Sequence, residues 1–301
     1  MSGPRFDRIV PLVTLVLIGL GVVFLLELNT ELLVVNLGDN LPQISVAWAL
    51  VGLLALVTGI GVELVARAQP ELHTSGWMTT LTLGQRQIEL ALPLWSIPML
   101  TPVAIFAFFR LFRGVLQTNA YLLVLVATFV LLLTVLSAQH YLISGSPRSR
   151  QIARSVLHIS AYTLAFAIFS VVTFNRYRTL YAIALVFPSV LLLAADLLRG
   201  RIRTLWTVAA VIALLMIEIY WALSFWPTRY LLYSAALLVI FYIAIGVVQV
   251  ASEEHGGVTA LGARLTRRAL LEYGLLGAGA LIALALATAW LRTRNIDLRG
   301  S

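Results

Sequence analysis

Nine runs of about 20 apolar residues punctuate the chain, at roughly 9–28, 44–66, 93–112, 119–142, 155–175, 179–198, 204–226, 230–250 and 270–291. A helix of that length crosses a hydrocarbon core of about 30 Å. Lipid offers no hydrogen bonds, so such runs are read as helices, which satisfy their own backbone. The pattern predicts an all-α, polytopic transmembrane bundle of nine spans. It forms a single integral membrane domain over 1–301. The connections are short, so activity is expected within the helices, at their ends or through partners.

The third run carries Pro93, Pro98 and Pro102. Each proline removes a backbone donor that lipid cannot replace. A kinked spanning helix protected by its neighbours is expected; a re-entrant or broken segment, leaving eight spans, is the alternative. The loop 67–92 before it ends in "WMTTLTLGQRQIELAL", residues 77–92, with apolar residues at 81, 83, 88, 90 and 92. That period of two, with Gly84–Gln85 as turn, predicts a small β-hairpin on the membrane surface. An interfacial helix is the alternative. The loop 251–269 breaks at Gly256–Gly257 and then sets Leu261 and Leu265 apart from Arg264, Arg267 and Arg268, as an interfacial helix would. Small residues at four-residue spacing, Ala55 and Gly59, then Gly279, Ala283 and Ala287, predict close helix contacts. No internal repeat divides the chain into similar halves.

Composition sharpens the class. Hydrophobic residues make up 60% and charged residues 11%, against roughly a quarter charged in soluble domains. The net charge of +8 comes from 21 basic residues, all arginine, grouped between apolar runs. There they orient helices and meet anionic headgroups, so membrane lipids are expected partners and nucleic acid is not. With nine spans and the N-terminus inside, 13 arginines fall inside (5, 8, 67, 86, 148, 150, 154, 199, 201, 203, 264, 267, 268) and 8 outside (110, 113, 176, 178, 229, 292, 294, 299). The split favours a cytoplasmic N-terminus. Arg5 and Arg8 precede a first run without a small-residue cleavage site, which reads as a retained helix. Without lysine there is no Schiff-base cofactor, and without cysteine no thiolate or iron–sulfur chemistry. No cofactor is expected.

One acid lies deep in a run. Glu218, in "MIEIYWALSFWPTRY", stands about eight residues before Trp226–Pro227, or about 12 Å along a helix. An ionised carboxylate there is costly unless protonated, paired or wetted. It reads either as a proton- or cation-binding group or as a fastener across a helical hairpin. Tyr220, Arg229, Tyr233 and Ser234 are its candidate partners. Glu27 closes the first run, Glu63 stands four residues before Arg67, and Asp196 adjoins Arg199. These read as ordinary end-of-helix pairs. Arg148, Arg150 and Arg154 in one loop and Arg199, Arg201 and Arg203 in a turn are candidates for a lipid headgroup, although the orientation rule already explains them. His140 and His158 flank the first of these loops, with no third ligand to make a metal or haem site. "SGS" at Ser144–Ser146 looks like a nucleophile motif but has no evident histidine base. No phosphate loop, zinc-protease helix or aspartate-rich motif is present.

The stretch from Ile217 to Gln249, with its Trp-rich seventh run and "LLVIFYIAIG" at Leu237–Gly246, resembles bacterial multi-pass proteins grouped as a domain-of-unknown-function family. The resemblance implies an integral protein of the bacterial cytoplasmic membrane and supplies no catalytic residues. Three functional classes follow from the residues. A structural or accessory subunit of a membrane complex, partnered by other membrane subunits, comes first. A transporter or channel-like protein using Glu218 is the alternative, and a membrane enzyme on a lipid-linked substrate is the third. An enzyme is the less favoured outcome.

Overall fold

Each apolar run with described residues is helical. A computed structural model describes residues 6–28, 34–35, 44–69, 72, 79–83, 86–112, 118–174, 179–199, 205–225 and 230–255. Beyond these it describes Gly274, Leu275, Gly277, Gly279, Ile282 and Leu286, all helical. In chain order the helices are α1 (Phe6–Leu28), α2 (Val46–Arg67), α3 (Leu92–Phe112), α4 (Thr118–Ser144), α5 (Pro147–Phe174), α6 (Thr179–Leu197), α7 (Leu205–Ser224) and α8 (Tyr230–His255). Among the described residues, seven helices are long and apolar enough to cross a membrane, and Ala182–Leu197 is a shorter apolar helix. That is the signature of a multi-pass membrane protein.

Among the described residues, two short antiparallel ladders stand between helices. β1 (Val34–Val35) pairs with β2 (Ile44–Ser45) between α1 and α2. β3 (Thr79–Leu83) pairs with β4 (Arg86–Leu90) between α2 and α3, with Thr79 opposite Leu90 and Leu83 opposite Arg86. Gly84 and Gln85 lie outside the described residues. The interfacial helix expected within 251–269 also lies outside them, apart from 251–255, which continue α8.

The chain divides into two compact units, Met1–Leu164 and Ala165–Ser301. In the first, Ile9, Val13, Val16 and Leu20 of α1 are buried at the three- and four-residue spacing of one helix face. They share a core with Val51, Leu54 and Val62 of α2, Phe106 and Phe109 of α3, and Leu132 and Leu136 of α4. Phe24 stacks on Phe109 with ring centres 4.0 Å apart. The opposite faces expose Leu15, Ile18, Leu53, Ile60, Leu122 and Leu123, an apolar exterior suited to lipid.

Glycines set how closely α2 approaches its neighbours. A Cβ on Gly59 would sit 2.8 Å from the Trp95 ring of α3, and one on Gly61 would strike Leu12 of α1. Without a hydrophobic drive between helices in lipid, such close contact is what holds them. In the second unit, the Phe169 ring of α5 meets Phe241 of α8 edge to face at 6.3 Å. A Cβ on Gly277 would strike Ile243 of α8, whereas one on Gly279 would meet nothing within 4 Å. Among the described glycines of the last apolar run, the close contact falls at Gly277. Ala283 and Ala287 lie outside the described residues.

α3 is continuous through its prolines. Pro93 stands in the first turn, where the missing donor would be unpaired in any helix. Pro98 cannot bond the carbonyl four residues back, that of Leu94. Gln139 of α4 donates its side-chain amide to that carbonyl at 2.8 Å. A neighbouring helix thus repairs the break, and α3 is not a broken segment.

α5 starts earlier than the apolar pattern. Ser146 accepts from Ser149 N through its side chain at 3.3 Å and from Arg150 N through its carbonyl at 2.9 Å. With Pro147 as first helical residue this is a strong helix start. Arg148, Arg150 and Arg154, expected in a loop, are consequently in the first turns of α5.

Candidate functional site

One group of polar side chains in the first unit lies where α2 ends and α3 begins. Glu63, only 5% exposed, is the centre. One carboxylate oxygen accepts from Arg67 Nε at 2.7 Å. The other accepts from Ala91 N at 3.0 Å and from the Trp95 indole at 2.9 Å. Ala91 is the residue just before α3, so its N–H is one of the donors that a helix start leaves open. A carboxylate at that position also meets the positive end of the helix dipole. Glu63 therefore holds the exit of the β3–β4 ladder, the start of α3 and the end of α2 in one place.

A second set lies in the same unit. Gln69 follows α2 through a tight turn, its N–H donating to Ala66 O at 2.9 Å. Its side-chain nitrogen lies 2.9 Å from His140 Nδ1. An amide nitrogen only donates, so Nδ1 accepts and the ring proton sits on Nε2. That nitrogen faces Ser144 Oγ at 3.2 Å, while Ser144 donates to the His140 carbonyl at 3.1 Å. A histidine base thus does stand beside the serine, one helical turn away. The arrangement orients and ties. The buried Gln69 Oε1 and Ser96 Oγ have no hydrogen-bond partner in the structure. At the other end of the unit, buried Glu27 of α1 pairs with Arg110 of α3 at 3.4 Å.

Two of the candidate partners of Glu218 meet each other in the second unit. The Tyr220 and Tyr233 rings stack with centres 5.7 Å apart, and the Tyr233 hydroxyl donates to the Tyr220 carbonyl. Ser234, fully buried, lies 2.7 Å from the Thr173 hydroxyl of α5. Arg229 lies outside the described residues. Glu218 itself is exposed, and among the described residues nothing bonds it. The buried face of α7 is Val208, Ala209, Ile212, Ala213, Met216 and Tyr220. At about 100° per residue, position 218 lies some 200° from both 216 and 220, on the far side of the helix. Depth in the hairpin and direction around the helix are separate matters, and Glu218 has the first without the second.

The arginine candidates separate in the same way. Arg148, Arg150 and Arg154 are exposed, and Arg150 donates to the Ile143 carbonyl at 3.1 Å, capping the end of α4. Arg199 is paired with Asp196 at the end of α6. Burial lowers its guanidinium from the ordinary value, and Asp196 raises it. Arg201 and Arg203 lie outside the described residues. Among the described residues, no group of three or more His, Asp or Glu is placed to hold a metal.

A family described as "Protein of unknown function (DUF5656)" matches residues 13–287. The chain belongs to this family. Its match runs from within α1 to beyond the end of α8. No curated protein and no solved structure matches this DUF5656 member.

Sequence reasoning passed over Glu63 as an end-of-helix pair. The signal was present: Ala55, Gly59 and Glu63 share one face at four-residue spacing. The small residues mark that face as the packed one. Gln139 was equally legible, since Pro98 guarantees a carbonyl in need of a donor.

Proposed function

We propose that this chain is a structural or accessory subunit of a membrane complex. The observation that carries the reading is the contrast among acids in the apolar helices. Glu27 and Glu63 are buried and paired with arginines of the same chain. Glu218 is exposed on an apolar helix face with no bond among the described residues. An acid at that depth needs a partner or water, and a packed bundle that uses its other polar groups as ties leaves this one for a neighbour. A transporter would instead turn Glu218 toward a polar cavity, and its exposed apolar face favours assembly.

The finer placement follows the arginines. We infer nine crossings of a bacterial cytoplasmic membrane, with the N-terminus inside and the β3–β4 ladder as a surface hairpin on that side. The 13-to-8 division of arginines supports it.

Extraction of the chain from its native membrane in mild detergent tests the assembly reading. A partner present in fixed stoichiometry, whose removal lowers the melting temperature, is the expected result. A chain that migrates alone at its own mass and melts unchanged defeats it.

A further inference from the structure

We infer that the exposed stripe of α7 receives a transmembrane helix of another polypeptide, and that this helix carries a basic side chain at the depth of Glu218. The inference rests on the subunit reading and names the partner's chemistry. The stripe consists of Val211, Leu214, Leu215, Glu218, Trp221 and Phe225, all exposed. Their spacing of three and four residues makes one continuous face over four turns. It lies opposite the face that α7 packs within its own unit.

Apolar side chains on such a face need no partner, because lipid suits them. The carboxylate is different. Glu218 lies within the apolar span Leu205–Ser224, six residues before its end. That is about 9 Å along the axis, beyond the reach of a side chain as short as glutamate's. Leu214 and Trp221, one turn below and one turn above on the same face, are 55% and 54% exposed, so neither covers it. A bilayer makes an uncompensated carboxylate expensive, and an arginine or lysine from a facing helix supplies both charge and hydrogen bonds.

A second copy of the chain is the less suitable occupant. A two-fold contact through this stripe repeats each residue across the axis. It would bring two Glu218 carboxylates toward each other with no described cation between them, where like charges disfavour ionisation. A basic partner meets the charge directly, and such a pair selects one neighbour over others.

The test uses the full chain in its native membrane with a photoreactive side chain at Leu214, Trp221 or Phe225. One discrete adduct is expected, whose cross-linked peptide maps to a transmembrane helix containing Arg or Lys. Glu218→Gln should lower adduct yield about tenfold or more while leaving the melting temperature of the chain freed of its partner unchanged. Glu218→Arg should abolish the adduct, and Asp or Glu at the partner's basic position should restore it. Adducts to lipid alone, to a second copy, or to a helix without a basic residue overturn the inference. So does a yield that Glu218→Gln does not change. If a stoichiometric partner copurifies but cross-links only from other helices, this inference falls and the subunit reading stands. If no partner copurifies, both fall.

Discussion

A buried carboxylate with three donors is worth more as an anchor than as a reagent. Replacing Glu63 by Ala leaves the Ala91 N–H and Trp95 indole without acceptors, at about 1–3 kcal/mol for each buried group. Glu63→Ala should therefore destabilise the first unit by about 3 kcal/mol, read from unfolding in detergent or bicelles. Gly59→Ala should share part of that loss. Its methyl would press on the Trp95 ring, 2.8 Å away, and displace the indole from Glu63. The two substitutions should be non-additive in a double-mutant cycle; strict additivity would separate the glycine from the anchor. At this scale the sequence marked Glu218 by its place in an apolar run and gave no sign of its direction. α7 is apolar on every side, so no polar face pointed outward. The clue was the alanine pair Ala209 and Ala213, which marks the packed side and places Glu218 opposite.

Helices in this chain are completed by other helices and by their own caps. Gln139 serves the carbonyl that Pro98 deprives, and Gln249 of α8 donates to Leu197 O at the end of α6, 3.1 Å away. Gln139→Leu should cost about 1–2 kcal/mol by stranding the Leu94 carbonyl. In a Pro98→Ala background the helix can make its own bond, and the cost of Gln139→Leu should largely vanish. An equal cost in both backgrounds would mean that Gln139 acts on something other than the proline break. Ser146→Ala removes the side-chain cap of α5 and should cost about 1 kcal/mol, measured by the same unfolding assay. Apolar length located most helices well because lipid enforces it. It placed the start of α5 too late, since Arg148, Arg150 and Arg154 are charged yet follow a Ser-Pro cap that begins a helix regardless of hydropathy. The capping signal and the hydropathy signal answer different questions, and only the first marks where a helix starts.

At the scale of the molecule, the natural absence of cysteine is an experimental gift. Single cysteines at exposed positions report which side of the membrane each helix end occupies, with no background to remove. A cysteine at Arg148 should react with an impermeant maleimide only from the cytoplasmic side, and one at Phe225 only from the opposite side. The same side for both would break the alternation of α5, α6 and α7 on which the nine crossings rest. Membrane class was legible from composition because so much apolar helix has no other home. The assembly of helices into two compact units was not. Inter-helix contact depends on glycine approach and on side-chain ties such as Thr173 with Ser234, which join residues 61 positions apart.

The repair of α3 by Gln139 also fixes an order of events during synthesis. Leu94 is made 45 residues before the side chain that completes it. Until α4 follows, the first turn of α3 holds a carbonyl that only water or a temporary donor can serve. The proline thus leaves one carbonyl of α3 dependent on a side chain that the ribosome adds later.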